Sequence, residues 1–169
     1  MSNIPSTPAD GNVKTVVCTA IANINAPTLA ELTGGTVKDI SCYITAGGFA
    51  LTLEQEPIAD DRECDTFTAQ QPGRVSAGSP TVTVIDNTGT SLEATSNDGV
   101  GALTGTVYIV RRYGLPHTTA FAATTQKVDV FVCKVGKKQR IQPEANSVLR
   151  ATFPLFVQDY AQDVTVTTT

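Results

Sequence analysis

Tryptophan is absent from this chain, histidine and methionine occur once each, and aromatic residues make up only 6% of it. So few large rings suit a β-rich subunit with small side chains better than one large globular core. Charge is scarce too, at 17% against 41% hydrophobic residues. The surface must therefore rely on Thr, Ser, Asn and Gln, or be hidden in an assembly. The lone histidine, His117, lacks the nucleophile and orienting acid that a general base requires, and no Gly-x-Ser-x-Gly is present. An enzyme is therefore the weakest reading. Cys18, Cys42, Cys64 and Cys133 are scattered, with no Cys-x-x-Cys pair, so a zinc site lacks its ligand spacing. Cys18, Cys42 and Cys133 lie in strand-like runs and read as small buried hydrophobes, whereas Cys64 sits among acids. No apolar run approaches a membrane span, and Met1 to Gly11 have neither a basic start nor an apolar stretch. The chain is expected to stay in the cytosol where it is made, with its thiols reduced.

Its 169 residues suit one domain, and the net charge of -4 argues against gripping DNA, which requires concentrated Lys and Arg. The few charges gather in blocks. Glu54, Glu56, Asp60, Asp61, Glu63 and Asp65 surround Arg62. Pro57-Ile58-Ala59 interrupts these acids and no glycine falls among them, so they do not form an EF-hand calcium loop. Lys134, Lys137, Lys138 and Arg140 form a basic block without interleaved aromatics, which reads as a hairpin tip after Gly136. Arg111-Arg112 stand apart. Gly99 to Gly105 leads into a strand rather than a helix and reads as a turn, not a phosphate loop.

Residues 1–12 are polar and Pro-containing and read as a flexible arm. Val13 to Ala22 reads as a strand. Pro27 to Leu32 reads as a short helix, with Thr28 and Glu31 at capping-box spacing and Gly34-Gly35 as its stop. Val37 to Thr45 alternates like a half-buried strand, with Ile40, Cys42 and Ile44 on one face. Two strands joined by the acidic connection are expected within 46–80, and a further strand at Thr81 to Ile85. Thr106 to Arg112 and Val128 to Val135 are the clearest strands, and Ala120 to Ala123 suggests a helical turn. A last strand, Ser147 to Val157, is broken or edge-placed at Pro154, and Val164 and Val166 suit a short edge strand in the tail. Seven to nine short strands and at most two short helices predict an all-β sandwich or barrel spanning 13–157, with arms at 1–12 and 158–169.

Five segments, in order, carry a resemblance: DISCYITAGGF (39–49), ADDRECDTFTAQQPG (59–73), VYIVRRYG (107–114), AFAATTQKVDVFVCKVG (120–136) and PEANSVLRATFPLFV (143–157). Together the set resembles the tail tube, or major tail, proteins of long non-contractile-tailed bacteriophages; residues 74–105 contribute little. The resemblance implies a structural virion protein without a cofactor. Its subunits are expected to form hexameric rings stacked head to tail, with strands joined across subunits and loops and arms reaching the next ring. Expected partners are further copies, the tape measure, the tail terminator and the tail tip, with double-stranded DNA passing through without specific binding. Inter-subunit contact candidates are Asp60, Asp61, Arg62, Glu63, Arg111, Arg112, Lys137, Lys138 and Arg140. Two other readings are a different virion ring protein (tail terminator or head–tail connector) and an immunoglobulin-like surface-binding module. The missing Cys-Trp-Cys core weighs against the second.

Overall fold

The computed structural model describes residues 4–64, 66–93 and 98–168. In chain order it contains β1 (Val13–Cys18), α1 (Leu29–Thr33), β2 (Lys38–Asp39), β3 (Ile44–Ala50), β4 (Leu53–Asp60), β5 (Ala69–Ala77) and β6 (Thr81–Ile85). These are followed by α2 (Asp98–Gly101), β7 (Thr106–Tyr113), β8 (Lys127–Val135), β9 (Gln139–Arg140) and β10 (Arg150–Thr165). The strands pair antiparallel in the order β2-β1-β7-β8-β10-β6-β3, with β9 also on β10, while β4 and β5 pair only with each other. The result is the all-β fold expected, a sheet curled over itself with few short helices.

Strand β10 makes the curl. Its first part, Arg150 to Pro154, pairs with β6, and Leu155 to Thr165 pair with β8 on the opposite edge. Pro154 sits at this change of partner. Its carbonyl accepts from Gly136 N at 2.8 Å, and the amide it lacks would face the gap between β8 and β9. A proline is tolerated there because no strand needs that donor.

Alternation in β7 and β8 supplies two cores. Val107, Ile109, Phe131 and Cys133 face inward against Val82 and Val84 of β6 and Ala151, Phe153 and Leu155 of β10. Val110, Val128 and Val130 face the other way, covered by Leu32 of α1, Phe121 and Val166. The central strands are thus buried on both faces, and each fully buried Val, Leu or Ile contributes roughly 1.5–3 kcal/mol. Helix α1 begins with the predicted capping box. Glu31 N donates to Thr28 Oγ1 at 3.3 Å, and Thr28 N donates back to Glu31 Oε2 at 2.8 Å.

Three local expectations differ from the structure. The strand predicted over Val37 to Thr45 is interrupted after Asp39, whose carboxylate accepts from Ser41 N at 3.0 Å and turns the chain. Ile40 still reaches the core, but Cys42 is left exposed. Ala120 to Ala123 form no helical turn, because Arg112 holds that segment by its carbonyls. The arm expected from Gln158 is mostly strand: β10 continues to Thr165, and Val166 is fully buried. Its polar residues occupy an edge with two register shifts, which hides the alternation. At the other end, residues 4–10 lie exposed outside any strand or helix.

Candidate assembly surfaces

The hairpin β4–β5 stands apart from both cores. Most of its residues are exposed, and it pairs with no other strand among the described residues. An isolated two-stranded hairpin is marginal in water, so this one needs a covering partner. Its turn carries four of the predicted contact residues. Asp60 ends β4, and Asp61, Arg62 and Glu63 follow, with Arg62 paired back onto Asp60 at 3.1 Å. Phe67, near the tip, is 80% exposed, and Ile58 is exposed as well. Beside the hairpin base, Leu53, Val75, Ala77 and Pro80 line a groove with Leu155 to Tyr160 of β10, and Phe156 lies open in it.

Strand β10 offers a second surface. Leu155 N donates to Pro80 O at 2.8 Å, and beyond that bond the edge away from β8 meets no strand among the described residues. A long open edge is a template for another strand.

The basic block is not a hairpin tip, because β8 and β9 each pair with β10 rather than with each other, and it folds back onto its own subunit. Asp86, 4% exposed at the end of β6, accepts from Lys138 Nζ at 3.0 Å and Arg140 Nε at 3.2 Å. Thr88 N also donates to this carboxylate. Burial alone would raise the Asp86 pKa, but hydrogen bonds from Thr88 and Lys138 outweigh it and bring it down to about 2. Lys137 projects freely into solvent. Between this ion cluster and the start of β10 lies a cleft of about 340 Å³, lined by Asp86, Arg140, Ile141, Pro143, Leu149 and Arg150 among others. Sequence reasoning missed Asp86, since its partners lie 52 and 54 residues away.

The arginine pair divides. Adjacent residues of a strand point to opposite faces, so Arg111 and Arg112 cannot act together. Arg111 is half-buried, stacked at 4.1 Å on the Phe49 ring and 5.2 Å from that of Tyr113. Arg112 is 1% exposed, so the structure corrects its place as a contact candidate. Its guanidinium donates to the carbonyls of Pro116, Thr119 and Ala120 and to Gln126 Oε1, at 2.8–3.1 Å, and so holds the connection between β7 and β8.

His117 gives its amide to Gly11 O and its carbonyl to Lys14, in a backbone role. Among the described residues no group of three or more His, Cys, Asp or Glu is placed to hold a metal ion, and no helix is long and apolar enough to cross a membrane. Cys18 and Cys133 are buried as expected, and burial pushes both thiols up to about 12.

A β-sheet curled around a shared strand, with an uncovered hairpin and an open edge, defines a subunit made to be joined to others. The chain matches the phage tail tube protein family over residues 1–169, and it belongs to that family. Its role is therefore structural, in the phage tail, and its family is not a class of enzyme. The fold is similar to that of the SPP1 phage tail tube subunit at a TM-score of 0.57 and 12% identity, covering 94% of this chain and 80% of that one. A chain in the baseplate of the anti-feeding prophage gives a TM-score of 0.47 at 15% identity, covering 97% and 99%. No curated protein sequence matches the chain.

Proposed function

We propose that this subunit polymerises into hexameric rings, stacked head to tail, to form the tube through which the phage genome enters the host. The hairpin β4–β5 carries the reading, because two strands exposed on both faces have no stable place until other copies cover them. The open edge of β10 supports it, since a strand from a neighbouring copy would complete its hydrogen bonds and extend the sheet around a ring. The acidic residues Asp60 to Glu63 and the basic block at Lys137 to Arg140 give a head-to-tail contact two unlike patches. A net charge of -4 disfavours adhesion of DNA to the wall, since like charges repel within about one Debye length, ~8 Å at physiological salt. The tape measure, tail terminator and tail tip are the other partners of this reading, and the subunit is made in the host cytoplasm.

Negative-stain microscopy tests it, with protein alone and with a tail-tip complex added to nucleate growth. Tubes are expected, and within them the hairpin should resist protease that cuts it in the free subunit. Single rings would favour a terminator or connector, and dispersed monomers under both conditions would reject the proposal.

A further inference from the structure

The base of the hairpin and the Asp86 cleft lie at opposite ends of β6. That strand starts at Thr81, next to the hairpin base, where Pro80 O accepts from Leu155 N. It ends at Ile85, where Asp86 N donates to Leu149 O in the cleft wall. The strand alone separates the hairpin base from the cleft by about 17 Å. A head-to-tail stack sets one end of each subunit against the other end of the next.

The two surfaces also match chemically. The hairpin residues 54–65 hold six carboxylates against Arg62 alone. Around the cleft, Lys137, Lys138, Arg140 and Arg150 outnumber Asp86 and Glu144. The cleft floor is apolar, from Ile141, Pro143 and Leu149, and Leu149 is 47% exposed with Val148 beside it at 59%. The tip brings one large apolar group, Phe67, held out into solvent.

We infer that Phe67 of one copy seats in the Ile141–Leu149 cleft of a copy in the adjacent ring, with Asp61 and Glu63 against Arg140 and Arg150. This rests on the stacked-ring reading and names its ring-to-ring joint. The Asp86 cluster acquires a role here: by fixing Lys138 and Arg140 it holds the cleft open before its occupant arrives, which reduces the ordering cost of docking.

The test uses Phe67→Ser and a cysteine pair. Phe67 is exposed, so Phe67→Ser should melt like the wild type. It should raise the protein concentration needed for tubes about tenfold or more, the loss expected on truncating an aromatic anchor. In a Cys42→Ser background, Gln142→Cys at the cleft should cross-link to the exposed Cys64 of the tip under mild oxidation of tubes. The product should be a ladder running past six subunits. Cys64→Ser should abolish the ladder, and Asn25→Cys in place of Gln142→Cys should give none. Tubes that form normally from Phe67→Ser, without the Gln142→Cys ladder, would overturn the docking and leave the tube reading standing. A ladder ending at six would place the joint within a ring and overturn the ring-to-ring assignment. Wild-type protein that gives no tubes even with the tail-tip complex would overturn both.

Discussion

Replacing Asp86 by Asn keeps the shape of the side chain and removes the one charge that holds Lys138 and Arg140. The Asp86 carboxyl falls from an ordinary 3.8 to about 2 on folding, a difference of nearly two pH units. At 1.36 kcal/mol per unit, ionised Asp86 contributes about 2 kcal/mol. Breaking a fully buried pair costs ~3–5 kcal/mol, but here the cations stay wet, with Lys138 24% and Arg140 65% exposed, so the smaller figure holds. In a protein of this size Asp86→Asn should lower Tm by about 4–8 °C at pH 7. The sign with pH follows from a depressed pKa. The contribution is fully present above pH 4 and is lost as the wild-type carboxylate protonates between about 4 and 2. Circular dichroism melts across that range should show the two proteins converging toward pH 2. Asp86→Asn within 0.5 kcal/mol of wild type at pH 7, or a gap that persists at pH 2, would show that the ion cluster does not hold this loop.

Arg112→Lys keeps the charge but cannot reach four acceptors at once, so it should cost about 2–3 kcal/mol. Amide exchange should rise first in residues 116–126. Gly136→Ala places a Cβ 2.6 Å from the Pro154 ring, which cannot rotate aside, and should lower the urea midpoint by an amount equivalent to about 1–3 kcal/mol. Ellman's reagent at pH 8 should titrate Cys42 and Cys64 quickly in the folded subunit, and Cys18 and Cys133 only after denaturant is added.

Features written in neighbouring residues were legible in the sequence. The Thr28–Glu31 box and the alternation of Val128 to Cys133 appear where the pattern placed them, whereas the acids at 54, 56 and 60 lie within β4 and Thr66 and Thr68 lie outside any strand. Features that depend on distant partners were not. Asp86 is an unremarkable residue after a strand until Lys138 and Arg140 fold onto it. Gln158 to Asp163 read as a polar tail because an edge strand with one wet face and two shifts loses its period. Arg111 and Arg112 read as contact candidates alike, although strand geometry sends the two side chains to opposite faces. Of the contact candidates, Asp61, Arg62, Glu63 and Lys137 are exposed, Asp60 and Arg111 are half-buried, Lys138 and Arg140 are tied to Asp86, and Arg112 is internal.

Strand β10 follows every other strand in chain order, yet it is the strand that both parts of the sheet require. Until residues 150–165 have emerged, β6 and β8 have no shared neighbour and neither core can close. Pairings this distant in sequence are slow to form, so closing the fold should wait on this strand. The open edge proposed to take a strand from a neighbour belongs to the same strand. A chain interrupted before it therefore lacks this open edge as well as a closed core.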